Sequence, residues 1–81
     1  MPYQKKYSYF ERVDYYGSKY LSLRSKEKLT KSEKGQLLYS WGYLSSFRSE
    51  FYNKNFAQNE IFRNGLKQGR KAQKKAYSVK F

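Results

Sequence analysis

Apolar residues recur along this chain at helical intervals, and polar turns interrupt them twice. Tyr9, Val13, Tyr16, Tyr20 and Leu23 are spaced by 4, 3, 4 and 3 residues, which keeps side chains on one face of an α-helix. Ser8 and Glu11 have the form of a capping box ahead of this run. Glu11 and Asp14 fall early while Lys19, Arg24 and Lys26 fall late, as a helix dipole favours. The pattern predicts a helix over about residues 9–25. The same residues also suit a β-hairpin turning at Gly17-Ser18, with Val13 opposite Leu23, because Tyr and Val favour strands. That alternative would give an α+β fold, with the hairpin packed on two helices.

Thr30 precedes Glu33 as a second capping box. Leu37, Trp41, Leu44, Phe47 and Phe51 then fall at spacings of 4, 3, 3 and 4, a single apolar stripe that predicts a helix over about 31–52. Asn53-Lys54-Asn55 reads as a short turn. Asn55 and Gln58 then signal the start of a third helix over about 56–76. Together these elements predict an all-α, three-helix domain in which the second and third helices form a long antiparallel αα-hairpin. Trp41, Phe47 and Phe51 are assigned to the core. Gly65, Gly69, Ala72 and Ala76, at spacings of 4, 3 and 4, form a row of small residues where a ring of Tyr39, Tyr43 or Trp41 is expected to pack. With 81 residues the chain is read as one domain, with residues 1–8 as an arm and 77–81 as a frayed tail.

Charge changes this picture. The chain carries 18 Lys and Arg against 6 Asp and Glu, a net charge of +12. Residues 1–30 contribute +4, residues 31–60 +1 and residues 61–81 +7, with no acidic residue after Glu60. On a helix, Arg63, Lys67, Arg70, Lys71 and Lys74 occupy an arc of roughly 100°. No glutamate lies four residues before any of these cations to neutralise it within the helix. A one-sided cationic stripe is the footprint of a polyanion contact. Arg63, Lys67, Arg70, Lys71, Lys74 and Lys75 are therefore the candidate nucleic-acid-binding residues. The two arginines are suited to bidentate contacts and the lysines act as point charges. Tyr3, Tyr7 and Tyr77 lie in or beside basic segments and are candidates for base stacking.

Composition narrows the function classes. The chain has no Cys and no His, so disulfides and Cys/His zinc sites are excluded, as are imidazole bases and Ser–His or Cys–His pairs. The six carboxylates are scattered, which points away from a metal-dependent nuclease. A non-enzymatic protein is expected, with no cofactor and no bound metal. No secretory signal and no apolar run long enough for a bilayer is visible, so the expected location is the cytoplasm. Ten Tyr and six Phe, with abundant Lys, Asn and Ser, resemble the products of A+T-rich genomes, including phages and plasmids. The preferred partner is nucleic acid. The alternative is an acidic or nucleic-acid-binding protein surface, reached by an adaptor or inhibitor module. Dimerisation would cover apolar stripes that one small domain leaves exposed. A membrane-surface role ranks last, because the side of the third helix away from the cations holds mostly Gly and Ala.

Overall fold

The computed structural model describes residues 9–77, and side chains over 9–75. Three α-helices account for most of it: α1 (Tyr9–Arg24), α2 (Lys31–Phe47) and α3 (Glu60–Tyr77). Two short 3-10 turns, Ser49–Phe51 and Lys54–Phe56, lie between α2 and α3. There is no strand among the described residues. The fold is all-α, and the segment around Gly17-Ser18 is helical rather than a hairpin. Of the expected arm and tail, residues 1–8 and 77–81, all but the backbone of Tyr77 lie outside the described residues, as does Ser8 of the first capping box, and Tyr77 is the last residue of α3 rather than part of a tail.

α2 starts where its capping box predicts. The Thr30 hydroxyl accepts from the Glu33 backbone N–H at 3.1 Å, and the Thr30 backbone N–H donates to the Glu33 carboxylate at 3.0 Å. Two donors that the first turn leaves without partners are thereby satisfied. Lys26 pairs with the same carboxylate. α2 ends earlier than predicted, at Phe47 rather than near 52, because Arg48 is extended (φ −135°, ψ 124°). Trp41 Nε1 donates to the Phe51 carbonyl at 2.6 Å, which folds the chain back along α2. Phe51 keeps its place beside the core by this route, its ring edge-on to Tyr20 with centroids 5.9 Å apart.

α3 begins at Glu60 rather than near 56. Its cap is Asn59, whose Oδ1 accepts from the Phe62 backbone N–H at 2.9 Å. The Asn55–Gln58 signal is not used; the Asn55 backbone N–H instead donates to the Asn53 side chain at 2.9 Å, a local turn.

Chain direction differs from expectation. α1 and α2 are the antiparallel pair: Tyr9 Oη lies 3.2 Å from Ser46 Oγ, and the Tyr20 and Trp41 rings are 5.3 Å apart. α2 and α3 instead run in the same sense. Gly35 lies against Ile61, Gly65 against Tyr39, and Gly69 against Tyr43 and Ser46, so contacts climb together along both helices. Residues 48–59 make this possible by returning along the side of α2. An aromatic series holds the return: Phe56 packs on Trp41 at 4.9 Å and on the fully buried Phe62 at 5.7 Å.

The row of small residues is filled differently too. At its two glycines the backbone of α2 lies in it, not a ring, while the Ala76 side chain lies outside the described residues. A Cβ on Gly65 would collide with the Tyr39 carbonyl, and one on Gly42 with the Phe62 carbonyl. At Gly69 it would meet the Ser46 hydroxyl and come within 3.0 Å of the Tyr43 carbonyl oxygen. Reciprocal approach of glycine to carbonyl brings the two main chains together, as small residues at a helix crossing allow. Buried Ser40 and Ser45 keep to their own helix, donating to the Gln36 and Trp41 carbonyls at 2.8 and 2.9 Å.

Two measurements test this account. Gly65→Ala should lower stability by about 1–3 kcal/mol in urea melts, through overpacking that outweighs the better helix propensity of Ala. Gly17→Ala should be neutral or stabilising by up to about 1 kcal/mol, since its Cβ would meet only Leu44 Cδ2 at 3.8 Å. A Gly65→Ala protein as stable as the parent would refute the close seam. The Glu33 carboxyl is held below its usual value of 4.5, first by its bond to Lys26 and then by the Thr30 backbone. Its contribution is complete above that usual value and disappears as pH falls through the lowered one. The stability gap between the parent and Glu33→Gln should therefore be present at neutral pH and close in acid.

Candidate nucleic-acid interface

α3 separates its faces more sharply than either other helix. Phe62, Gly65 and Gly69 are buried, and Leu66 and Ala72 are half-buried. Arg63, Lys67, Arg70, Lys71, Lys74 and Lys75 are all exposed. At about 100° per residue, the cations centre some 150° from the buried arc, pointing away from α2. Packing thus orients the stripe: glycines must face α2, so the cations cannot.

Arg63, Lys67, Arg70, Lys71 and Lys74 follow one another within a single helix, about 16 Å from first to last at 1.5 Å per residue. Among the described residues, the ion pairs are Lys26–Glu33 and Arg48–Glu50, and neither includes these five cations. Glu60 occupies the first turn of α3, where its charge suits the helix N-terminus, while Lys74 and Lys75 occupy the last. A surface depression of about 460 Å³ runs between Arg63, Lys67 and Arg70, beside Asn64.

The sequence-predicted cationic residues are therefore brought together on one exposed face. Of the tyrosines proposed for stacking, Tyr3 and Tyr7 lie outside the described residues. Tyr77 ends α3, but its side chain lies outside them too. Sequence reasoning missed a second cluster. Tyr15, Tyr16, Tyr39 and Tyr43 line a cleft of about 750 Å³ between α1 and the α2–α3 pair, with Arg12 and Gln68 at its sides. Tyr16 is the hub, with its ring centroid 4.5 Å from that of Tyr43 and 5.6 Å from that of Tyr39. The 4-residue spacing of Tyr39 and Tyr43 was the available signal, but only the antiparallel docking of α1 adds Tyr16 to it.

Burial raises the pKa of Tyr43, and the Arg12 guanidinium beside it opposes that effect. Burial likewise raises Tyr39, helped by the neighbouring Tyr16 and Tyr43 hydroxyls and again opposed by Arg12. Both phenols are therefore hydrogen-bond donors at neutral pH. Among the described residues, no group of three or more His, Cys, Asp or Glu could hold a metal ion. No helix among them is long and apolar enough to cross a membrane.

No protein-family model matches the chain, and no curated protein or solved structure is detectably similar to it. The fold and its surface chemistry therefore carry the functional reading.

The cationic face has an energetic consequence. Arg63–Lys67, Lys67–Lys71 and Arg70–Lys74 are like-charge pairs one turn apart, each costing a few tenths of a kcal/mol. Gly65 and Gly69 add about 1 kcal/mol each in helix propensity. Raising salt to about 0.3 M should screen the repulsion and raise Tm by about 4–8 °C for each kcal/mol relieved. A melting temperature that falls with salt would contradict this.

Proposed function

We propose that the protein is a small non-enzymatic nucleic-acid-binding protein whose contact surface is the cationic face of α3. The observation that carries this reading is the set Arg63, Lys67, Arg70, Lys71 and Lys74, exposed on one side of an anchored helix without carboxylate partners among the described residues. Such an array is costly to the free protein, and phosphates offset the cost by replacing self-repulsion with attraction and counterion release. The arginines supply planar forks for phosphate oxygens and the lysines supply point charges.

Charge reversal at Arg63, Lys67, Arg70 and Lys74 together should abolish binding while leaving the helical circular-dichroism spectrum intact. For the parent, log affinity should fall against log salt with a slope of about −3 to −5, as expected for a handful of neutralised phosphates. Affinity that stays flat between about 50 and 300 mM salt would dispose of the proposal. Recovery of one stoichiometric protein from nuclease-treated lysate, with no nucleic-acid binding, would instead assign the same face to an acidic protein partner.

A further inference from the structure

The tyrosine cleft has features that packing alone does not explain. Tyr43 is 3% exposed, yet its hydroxyl oxygen has no hydrogen-bond partner. Leaving a buried hydroxyl unsatisfied costs stability, and a phenylalanine of the same shape would avoid that cost. The Arg12 guanidinium is close enough to the hydroxyl to lower its pKa as a donor would, but it stands outside hydrogen-bond geometry. Arg12 is itself exposed, so it can turn aside and open a path to the oxygen. Around this point the cleft offers aromatic rings from Tyr15, Tyr16 and Tyr39, and the amide of Gln68. Rings for stacking, together with edge groups that donate and accept, are the recognition set for a planar heterocycle. The cleft's volume of about 750 Å³ lies within the range of small-ligand sites.

The position of the cleft matters as much as its lining. Gln68 belongs to α3, and Lys71 is its neighbour one turn on. Lys67 and Arg70 follow on the adjoining arc. The opposite, α1 rim sets Arg12 among the carboxylates of Glu11 and Asp14, so it offers phosphate no net attraction. A strand with a base in the cleft would therefore run its phosphates towards α3 and away from α1.

We propose that the cleft between α1 and the α2–α3 pair binds an unpaired nucleobase, and that the strand carrying it continues onto Lys71, Lys67 and Arg70. This inference rests on the phosphate-binding reading of α3 and makes its ligand single-stranded, because a base inside a duplex cannot leave its stack without cost. Tyr15, Tyr16 and Tyr39 supply the stacking surfaces, Gln68 reads the base edge, and Tyr43 donates to it once Arg12 has moved.

Anisotropy titrations with short labelled single strands, in DNA and in RNA, test the idea against an abasic strand of equal charge and against a duplex. The tighter base-bearing strand should bind at least about fivefold better than the abasic one, as stacking of one base implies. Tyr15→Ala and Gln68→Ala, both at exposed positions, should erase that difference while leaving the salt slope unchanged. Tyr43→Phe should melt no lower than the parent yet bind the base-bearing strand more weakly. Equal affinity for abasic and base-bearing strands would overturn the cleft assignment and leave the α3 surface standing. No binding to any of the four would overturn both.

Discussion

Contact between the backbones of α2 and α3 is the constraint on which the remaining structure depends. Gly42, Gly65 and Gly69 face carbonyl or hydroxyl groups of the opposite helix at distances that exclude a side chain. Helices ordinarily pack with side chains between them, at 8–10 Å; here the small residues remove that layer. The seam gives up the large apolar area a small domain usually depends on. Large rings make up the difference outside it, where Tyr9, Tyr20 and Tyr43 are buried and Trp41, Phe47 and Phe51 are partly buried against them. A chain so rich in Tyr and so poor in Ile and Val fits this arrangement, since a tyrosine can bury its ring and keep its hydroxyl hydrated or bonded.

Local rules read much of this from the residues. α1 was legible from the spacing of Tyr9, Val13, Tyr20 and Leu23, all of which are buried. The start of α2 was legible from Thr30 and Glu33, because a capping box is a local interaction that requires no tertiary partner. The end of α2 was not. Phe51 continues the apolar stripe, but the Trp41–Phe51 bond ends the helix through a contact ten residues apart. The relative direction of α2 and α3 was hidden for the same reason. Asn53-Lys54-Asn55 looks like a tight turn, and a tight turn implies antiparallel neighbours. The actual connection spans residues 48–59 and is held by Phe51, Phe56 and Tyr52 against Trp41, Tyr20 and Phe62.

The two candidate surfaces differed in legibility because they are built differently. The cationic face belongs to one helix, so its composition and period reveal it. The tyrosine cleft draws Arg12, Tyr15 and Tyr16 from α1, Tyr39 and Tyr43 from α2, and Gln68 from α3. It exists only once three elements have docked. The small-residue row was read correctly as demanding close approach, yet what approaches is a main chain, a distinction that residue identities do not encode.

The glycine seam also acts as a rotational lock. A helix seated on ordinary side chains can roll several degrees about its long axis as those chains change rotamer. α3 has no such play, because turning it one way would drive the Phe62–Leu66 side, and the other way the Ala72–Gln68 side, into the α2 main chain. The azimuth of every outward group on α3 is therefore set by hydrogens on the far side of the same helix. A single methyl added there would re-aim a surface it never touches.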